Sequence, residues 1–118
     1  MVKLNTIGSK GEEIAVKFLL NKGYAILERN WRNGQKEIDI IALHKDVVVF
    51  LEVKTRANFD FGFPEEAVTK KKQRFLKQAA EAYIAANPQY LQIQFDIISI
   101  VMVGDNVQEI VHFEEAFY

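Results

Sequence analysis

The stretch Glu37-Ile38-Asp39-Ile40-Ile41-Ala42-Leu43-His44-Lys45-Asp46-Val47-Val48-Val49-Phe50-Leu51-Glu52-Val53-Lys54 holds two apolar runs around a short polar turn, each broken by an acid. Residues 37–43 and 47–54 read as strands, because β-branched and aromatic residues crowd them and His44-Lys45-Asp46 separates them. Side chains alternate between faces along a strand. Val48, Phe50, Glu52 and Lys54 therefore share one face; Val47, Val49, Leu51 and Val53 share the other. A strand apolar on both faces belongs in the middle of a sheet, covered on both sides. Glu52 and Lys54 then stand near the end of a buried strand, where charges persist when they are paired, metal-bound or functional. Asp39 interrupts Ile38, Ile40 and Ile41 in the same way.

Pairing the two runs as an antiparallel hairpin joins these anomalies. With the turn centred between Lys45 and Asp46, Leu43 faces Val48 and Asp39 faces Glu52. Directly opposed residues have Cβ atoms about 4.5–5.5 Å apart, and two carboxylates at that spacing repel. One could take a proton, or Lys54 could help neutralise them. A divalent cation would do so most directly, since Mg²⁺ takes oxygen ligands and often uses only one or two protein carboxylates. The alternative is a plain salt bridge from Lys54, with the carboxylates solvated at the strand ends. A slip of one residue would undo the pairing.

Working outward, residues 11–22 read as a helix with Ile14, Ala15, Phe18 and Leu19 on one stripe and Gly23 as its stop. Ser9 or Lys10-Gly11 would open it. Residues 24–32 read as a strand, followed by a turn at Asn33-Gly34. After the hairpin comes a loop, 57–63, with Phe59, Phe61 and Phe63, which are expected to pack over the core. Pro64 suits a first helical turn, with Glu65 and Glu66 complementing the helix dipole, and the helix runs to about Ala86 before Asn87-Pro88. Residues 92–103 and 107–113 are β-rich around a turn at Gly104-Asp105-Asn106. The order helix, three strands, helix, two strands predicts one α/β domain over 1–118, an α+β mixed sheet flanked by helices.

Composition narrows the function classes. A chain of 118 residues, 49% hydrophobic, suffices for one core. The absence of cysteine excludes disulfides, a thiolate zinc site and a cysteine nucleophile. No signal-length apolar stretch opens the chain, and its apolar runs are too short to span a bilayer, so a cytoplasmic protein with no membrane partner is expected. There is no phosphate-binding G-x-x-x-x-G-K-[ST] loop. Ser9 and Ser99 lack a base motif, and His44 and His112 stand isolated without metal-ligand spacing. The net charge of −1 is unlike that of a dedicated nucleic-acid binder. Its distribution is uneven, however: residues 1–36 carry a net +4, whereas residues 87–118 carry five acids and no Lys or Arg.

Asp39 followed by Glu52-Val53-Lys54 resembles the D…E-x-K signature of the PD-(D/E)xK nuclease superfamily. The wider chain resembles the YraN-like family of bacterial proteins, described as predicted endonucleases. The matching stretches are Gly11-Glu12-Glu13-Ile14-Ala15, Asn30-Trp31-Arg32, Glu37-Ile38-Asp39-Ile40-Ile41-Ala42, Val49-Phe50-Leu51-Glu52-Val53-Lys54-Thr55-Arg56, Lys72-Gln73, Phe95-Asp96 and Ala116-Phe117. Lys36 stands where that family usually has Gly, Gln94 where it has Arg, and Ile38 where the superfamily often has Pro.

The resemblance implies a restriction-endonuclease-like fold and a Mg²⁺- or Mn²⁺-dependent nuclease. Its expected substrate is DNA, with branched or single-stranded forms as candidates, and related resolvases pair as homodimers. Asp39, Glu52 and the Val53 carbonyl would hold the metal. Lys54 would orient the attacking water or stabilise developing charge. Glu12, by its place in the Gly-Glu-x-x-Ala stretch, would complete the catalytic set; otherwise Glu12 and Glu13 merely favour a helix N-terminus. Arg32, Arg56, Lys72, Gln73 and Arg74 are the expected nucleic-acid contacts, with Lys70 and Lys71 more simply a solvated helix face. Trp31 is expected in the core, with base stacking as its alternative. The competing functions are a non-catalytic nucleic-acid-binding module and a protein-interaction domain.

Overall fold

The computed structural model describes residues 7–57 and 68–118. Strands β1 (Ala25–Asn33), β2 (Lys36–His44) and β3 (Val47–Arg56) follow helix α1 (Ile7–Asn21). Helix α2 (Lys70–Ala86) then leads to β4 (Gln92–Val103) and β5 (Asn106–Phe117). The expectations for Phe59, Phe61, Phe63, Pro64, Glu65 and Glu66 fall outside the described residues.

The hairpin turn fixes the register. Lys45 and Asp46 both take left-handed backbone, with φ of 51° and 67°, the pattern of a two-residue type I′ turn, whose twist matches that of the flanking strands. His44 pairs Val47, Leu43 pairs Val48 and Ile40 pairs Leu51, the register expected from a turn centred between Lys45 and Asp46. The five strands form one mixed sheet in the order β1-β2-β3-β4-β5. Only the β3–β4 pairing is parallel, since α2 crosses over between those two strands. The apolar strand β3 is the middle strand.

Each face of the sheet has its own helix and its own core. On one face Ala15, Leu19 and Tyr24 pack on Ile40, Ala42, Val49, Leu51, Ile98, Ile100 and Met102. On the other, Leu76, Ala79, Ala80 and Tyr83 of α2 pack on Ile38, Ile41, Val48, Phe50, Phe95 and Ile97. Trp31 joins this second cluster, its ring edge-on to Tyr83 at 5.3 Å.

Helix ends explain where the sequence reading needs correction. α1 stops as expected at Gly23 (φ 89°). Tyr24 N donates to Leu19 O and Gly23 N to Leu20 O, a Schellman closure that a left-handed glycine permits. Its start lies earlier than residue 11. α2 begins at Lys70 rather than Pro64: the Thr69 hydroxyl accepts from Lys72 N at 3.1 Å and caps the helix. β5 runs past residue 113 because a bulge at Glu115 (φ 51°) lets Phe117 rejoin the ladder opposite Phe95.

Gly11 serves a different purpose from Gly23. A Cβ built at Gly11 would lie 1.8 Å from Thr55 Oγ1. Only a residue without a side chain lets the start of α1 approach the end of β3 this closely. Gly11→Ala is expected to lower stability by about 1–3 kcal/mol through overpacking, read as a fall in the urea midpoint at unchanged slope. Pairing it with Thr55→Ala or Thr55→Gly, which remove that oxygen, should recover part of that loss.

Candidate metal centre at the end of the central hairpin

The β2–β3 ladder stops at Ile40–Leu51, one pair short of Asp39 and Glu52. The alternation of faces changes at the same point. Ile41 and Ile38 both belong to the α2-side core, whereas Ile40 and Ala42 belong to the α1-side core. Across from this slip, Asn30 adopts a left-handed φ of 52° between the Arg29–Ile40 and Trp31–Ile38 pairs. Asp39 Oδ2 accepts a 2.8 Å hydrogen bond from Val53 N. A side-chain carboxylate thus takes a strand N–H that would otherwise seek a backbone carbonyl. Because N–H and C=O of one strand residue point to the same side, the Val53 carbonyl also faces the Asp39 side.

Glu52 is 6% exposed. Its Oε1 lies 3.5 Å from Lys54 Nζ and 3.6 Å from Lys72 Nζ, ion-pair distances beyond good hydrogen-bond length. Its Oε2 is buried with no hydrogen-bond partner among the described residues. Burial pushes the Asp39 carboxyl up to about 7, and the Glu52 charge adds to the shift. The Val53 N–H bond opposes it, and the charges of Glu12 and Glu37 raise it further. The α1 acid therefore contributes to the same electrostatic environment as the two strand acids.

The orphaned Glu52 oxygen and the elevated Asp39 pKa mark excess negative charge that protein cations only partly offset. Hard oxygen donors from Asp39, Glu52 and the Val53 carbonyl suit Mg²⁺ or Mn²⁺. The donor set therefore fits such an ion.

The remaining residues singled out from sequence are dispersed. Lys72 sits at Glu52, not on an outer helix face. The reason is its position four residues before Leu76, in line with the buried stripe of α2. Gln73 turns back to cap its own helix entry, donating from Nε2 to Val68 O at 3.1 Å. Arg74 is exposed on α2. Arg32 is exposed near the end of β1 and pairs with Glu37 at 3.4 Å. Arg56 ends β3 opposite Val101 of β4.

A second polar cluster is not legible in the sequence as such. Asp96, fully buried, accepts from Gln94 Nε2 and Glu115 N, both at 2.9 Å, and its Oδ2 lies 2.7 Å from His112 Nε2. His112 Nδ1 lies 2.8 Å from Lys22 Nζ. An ammonium only donates, so Nδ1 accepts and Nε2–H donates to Asp96. Tyr24 reaches Glu114 at 3.5 Å, and burial followed by the charges of Glu114 and Asp96 pushes its hydroxyl up to about 12. Ligand atoms of Asp96, His112 and Glu114 lie within 4.8 Å of one another. Yet the Asp96 oxygens and both imidazole nitrogens already have protein partners, and Lys22 supplies the local cation. His112 is therefore not isolated, and the cluster's clear structural task is to hold the β5 bulge through Glu115 N. The signal for it is Asp96 inside the apolar run 95–103, since a buried acid requires donors.

A profile of the uncharacterised protein family UPF0102 matches residues 11–100, a span that holds Glu12, Asp39, Glu52, Lys54 and Lys72. The chain is 43% identical over 118 residues to a UPF0102 protein of Flavobacterium psychrophilum, covering 100% of this chain and 98% of that protein. A UPF0102 protein of Phocaeicola vulgatus is 44% identical over 119 residues, covering 100% and 97%. One from Dictyoglomus thermophilum is 47% identical over 97 residues, covering 81% and 82%. With a restriction-endonuclease-like mixed sheet and relatives matched along most or all of their length, this chain belongs to the UPF0102, or YraN-like, family.

Proposed function

We propose that the protein is a Mg²⁺- or Mn²⁺-dependent nuclease that hydrolyses phosphodiester bonds of DNA. The observation that carries this reading is the convergence of Asp39 and Glu52 at the broken end of the β2–β3 ladder, with one Glu52 oxygen left without a partner among the described residues. Asp39, Glu52 and the Val53 carbonyl would hold the ion. When bound, the ion would polarise the phosphate and lower the pKa of water. Lys54, at 3.5 Å from Glu52, would orient the attacking water and offset charge on the phosphate oxygens. Lys72 offers a second ammonium at the same carboxylate. Glu12 adds negative charge from α1 and would act as a further outer ligand or base. In the reaction water adds to phosphorus, the P–O ester bond breaks, and the leaving oxygen takes a proton.

Branched, single-stranded and duplex DNA should be incubated with Mn²⁺, with EDTA, and with metal-free protein. Cleavage that requires Mn²⁺ and stops with EDTA supports the proposal. No cleavage of any form, with no rise in melting temperature on adding Mn²⁺, would sink it. DNA binding that falls with salt but never leads to cleavage would favour the non-catalytic module.

A further inference from the structure

We propose that Phe75 is a stacking platform for an unpaired base, about one helical turn along α2 from Lys72, which reaches Glu52, so that the preferred nucleic acid is a single-stranded or frayed segment. The proposal rests on the nuclease reading above. Its evidence is separate and lies on the outer surface of α2.

Phe75 is 43% exposed although it adjoins Leu76, which is 3% exposed. It lies one residue off the buried stripe Leu76, Ala79, Ala80 and Tyr83, so packing against the sheet does not account for a large aromatic ring there. Two ammonium groups approach it: Lys36 Nζ from β2 at 5.8 Å and Lys71 Nζ from the same helix at 5.7 Å from the ring centroid. Among the described residues neither of these ammonium groups has a carboxylate partner. The other exposed large hydrophobics on the sheet, Leu91, Ile93, Val103, Val107 and Tyr118, lie in or beside β4 and β5, the segment that carries five acids and no Lys or Arg. Phe75 alone among these exposed groups combines an aromatic face with flanking cations.

That combination matches one ligand chemistry. A nucleobase presents a π-face that stacks on an aromatic ring regardless of sequence, and its strand presents a phosphate on either side. An ammonium resting over a solvent-exposed ring is held only weakly. Lys36 and Lys71 can therefore leave the ring for a phosphate at little cost, and their flexible stems permit it. In duplex DNA the bases are stacked on one another and their faces are closed to a protein ring. A base free to stack on Phe75 must come from an unpaired stretch. Lys72, three residues before Phe75, touches Glu52, and residues three apart are neighbours on one helix surface. A base on Phe75 would thus anchor a strand whose next phosphates pass Lys72 toward Glu52.

The test uses a single-stranded oligonucleotide carrying 2-aminopurine, whose fluorescence is quenched on stacking, titrated with the full chain in EDTA so that binding is read without cleavage. Wild type should quench it. Phe75→Ala should weaken binding about tenfold and lose the quenching. Phe75→Leu, which keeps an apolar side chain without a π-face, should behave like Phe75→Ala, whereas Phe75→Trp should retain both signals. A matched duplex with the probe base paired should show no quenching with any variant. Thermal unfolding of each variant checks that the fold survives. Equal affinity for wild type and Phe75→Ala, or full retention by Phe75→Leu, overturns the platform. Failure of the nuclease reading is distinguishable: Phe75-dependent quenching without Mn²⁺-dependent cleavage leaves the platform standing on a non-catalytic protein. Absence of any oligonucleotide binding removes both.

Discussion

Glu52→Gln is expected to lower Mn²⁺-dependent cleavage on the order of a thousandfold, beyond the 10–100-fold typical of removing a partner outside a metal's direct ligands, while leaving the melting temperature unchanged or higher. The two effects separate because Glu52 is poorly matched to its surroundings. One oxygen is buried without a partner among the described residues, and its ammonium neighbours stand at 3.5 and 3.6 Å. Both lysines keep access to water, at 28% and 41% side-chain exposure, so losing the anion does not strand them. Gln keeps the shape, removes the repulsion on Asp39 and turns a charged oxygen into a neutral one. A group retained at a cost in stability is expected at a functional site. Cleavage by Glu52→Gln at the wild-type rate would show that the activity belongs to a contaminant or to another site. A drop in melting temperature of several degrees would show that the lysine pairs are structural.

For the metal-free protein, Asp39 should make stability fall as pH rises from about 4 to about 7. Its carboxyl titrates at about 7 in the folded chain against an ordinary value of 3.8. Below pH 4 folded and unfolded chains both hold the proton, and Asp39 contributes nothing to the difference. Between the two values the folded chain holds a proton that the unfolded chain has released, so unfolding becomes easier with each step upward. Above pH 7 both are ionised and the full penalty stands, on the order of 4 kcal/mol for a carboxyl moved this far by burial. Asn at this position keeps an oxygen for the Val53 N–H and carries no charge. Asp39→Asn should therefore flatten this part of the profile and be the more stable protein at pH 8. Urea midpoints at pH 4.5, 6 and 8 for the two proteins measure it. Parallel profiles would show that Asp39 titrates as an ordinary surface acid.

Much of the architecture can be read from local pattern. The run 47–53 announces a central strand because no residue in it before Glu52 tolerates water, and that is where β3 lies. The turn at Lys45-Asp46 sets the register, since two residues between two apolar runs leave little freedom. What stays hidden is non-local. Lys72 reads as a nucleic-acid contact, and its ion pair with Glu52 emerges only once α2 is laid on the sheet. Gln73 reads as a nucleic-acid contact too, and its bond to the Val68 carbonyl at the helix entry is equally invisible in the sequence. The start of α2 at Lys70 is decided by one hydroxyl at Thr69, a residue the sequence does not single out. His112 meets Asp96 diagonally, because it pairs with Ile98 two residues further along β4, and that β4–β5 register is not set by alternation within either strand. The slip of alternation at Asp39 is hidden for the same reason, for it depends on the left-handed Asn30 of the adjoining strand.

The uneven spread of charge acquires a direction once the strands are ordered. α2 packs on the β1–β2–β3 side with Lys36, Lys71, Lys72 and Arg74, while β5, with Glu109, Glu114 and Glu115, forms the opposite border. A molecule whose total charge is nearly zero thus behaves as a permanent dipole. In the field of a polyanion it experiences a torque before it experiences contact, turning the lysine border forward and the glutamate border back. Collisions would become productive more often than chance orientation allows, and added salt would shorten the range over which that turning acts.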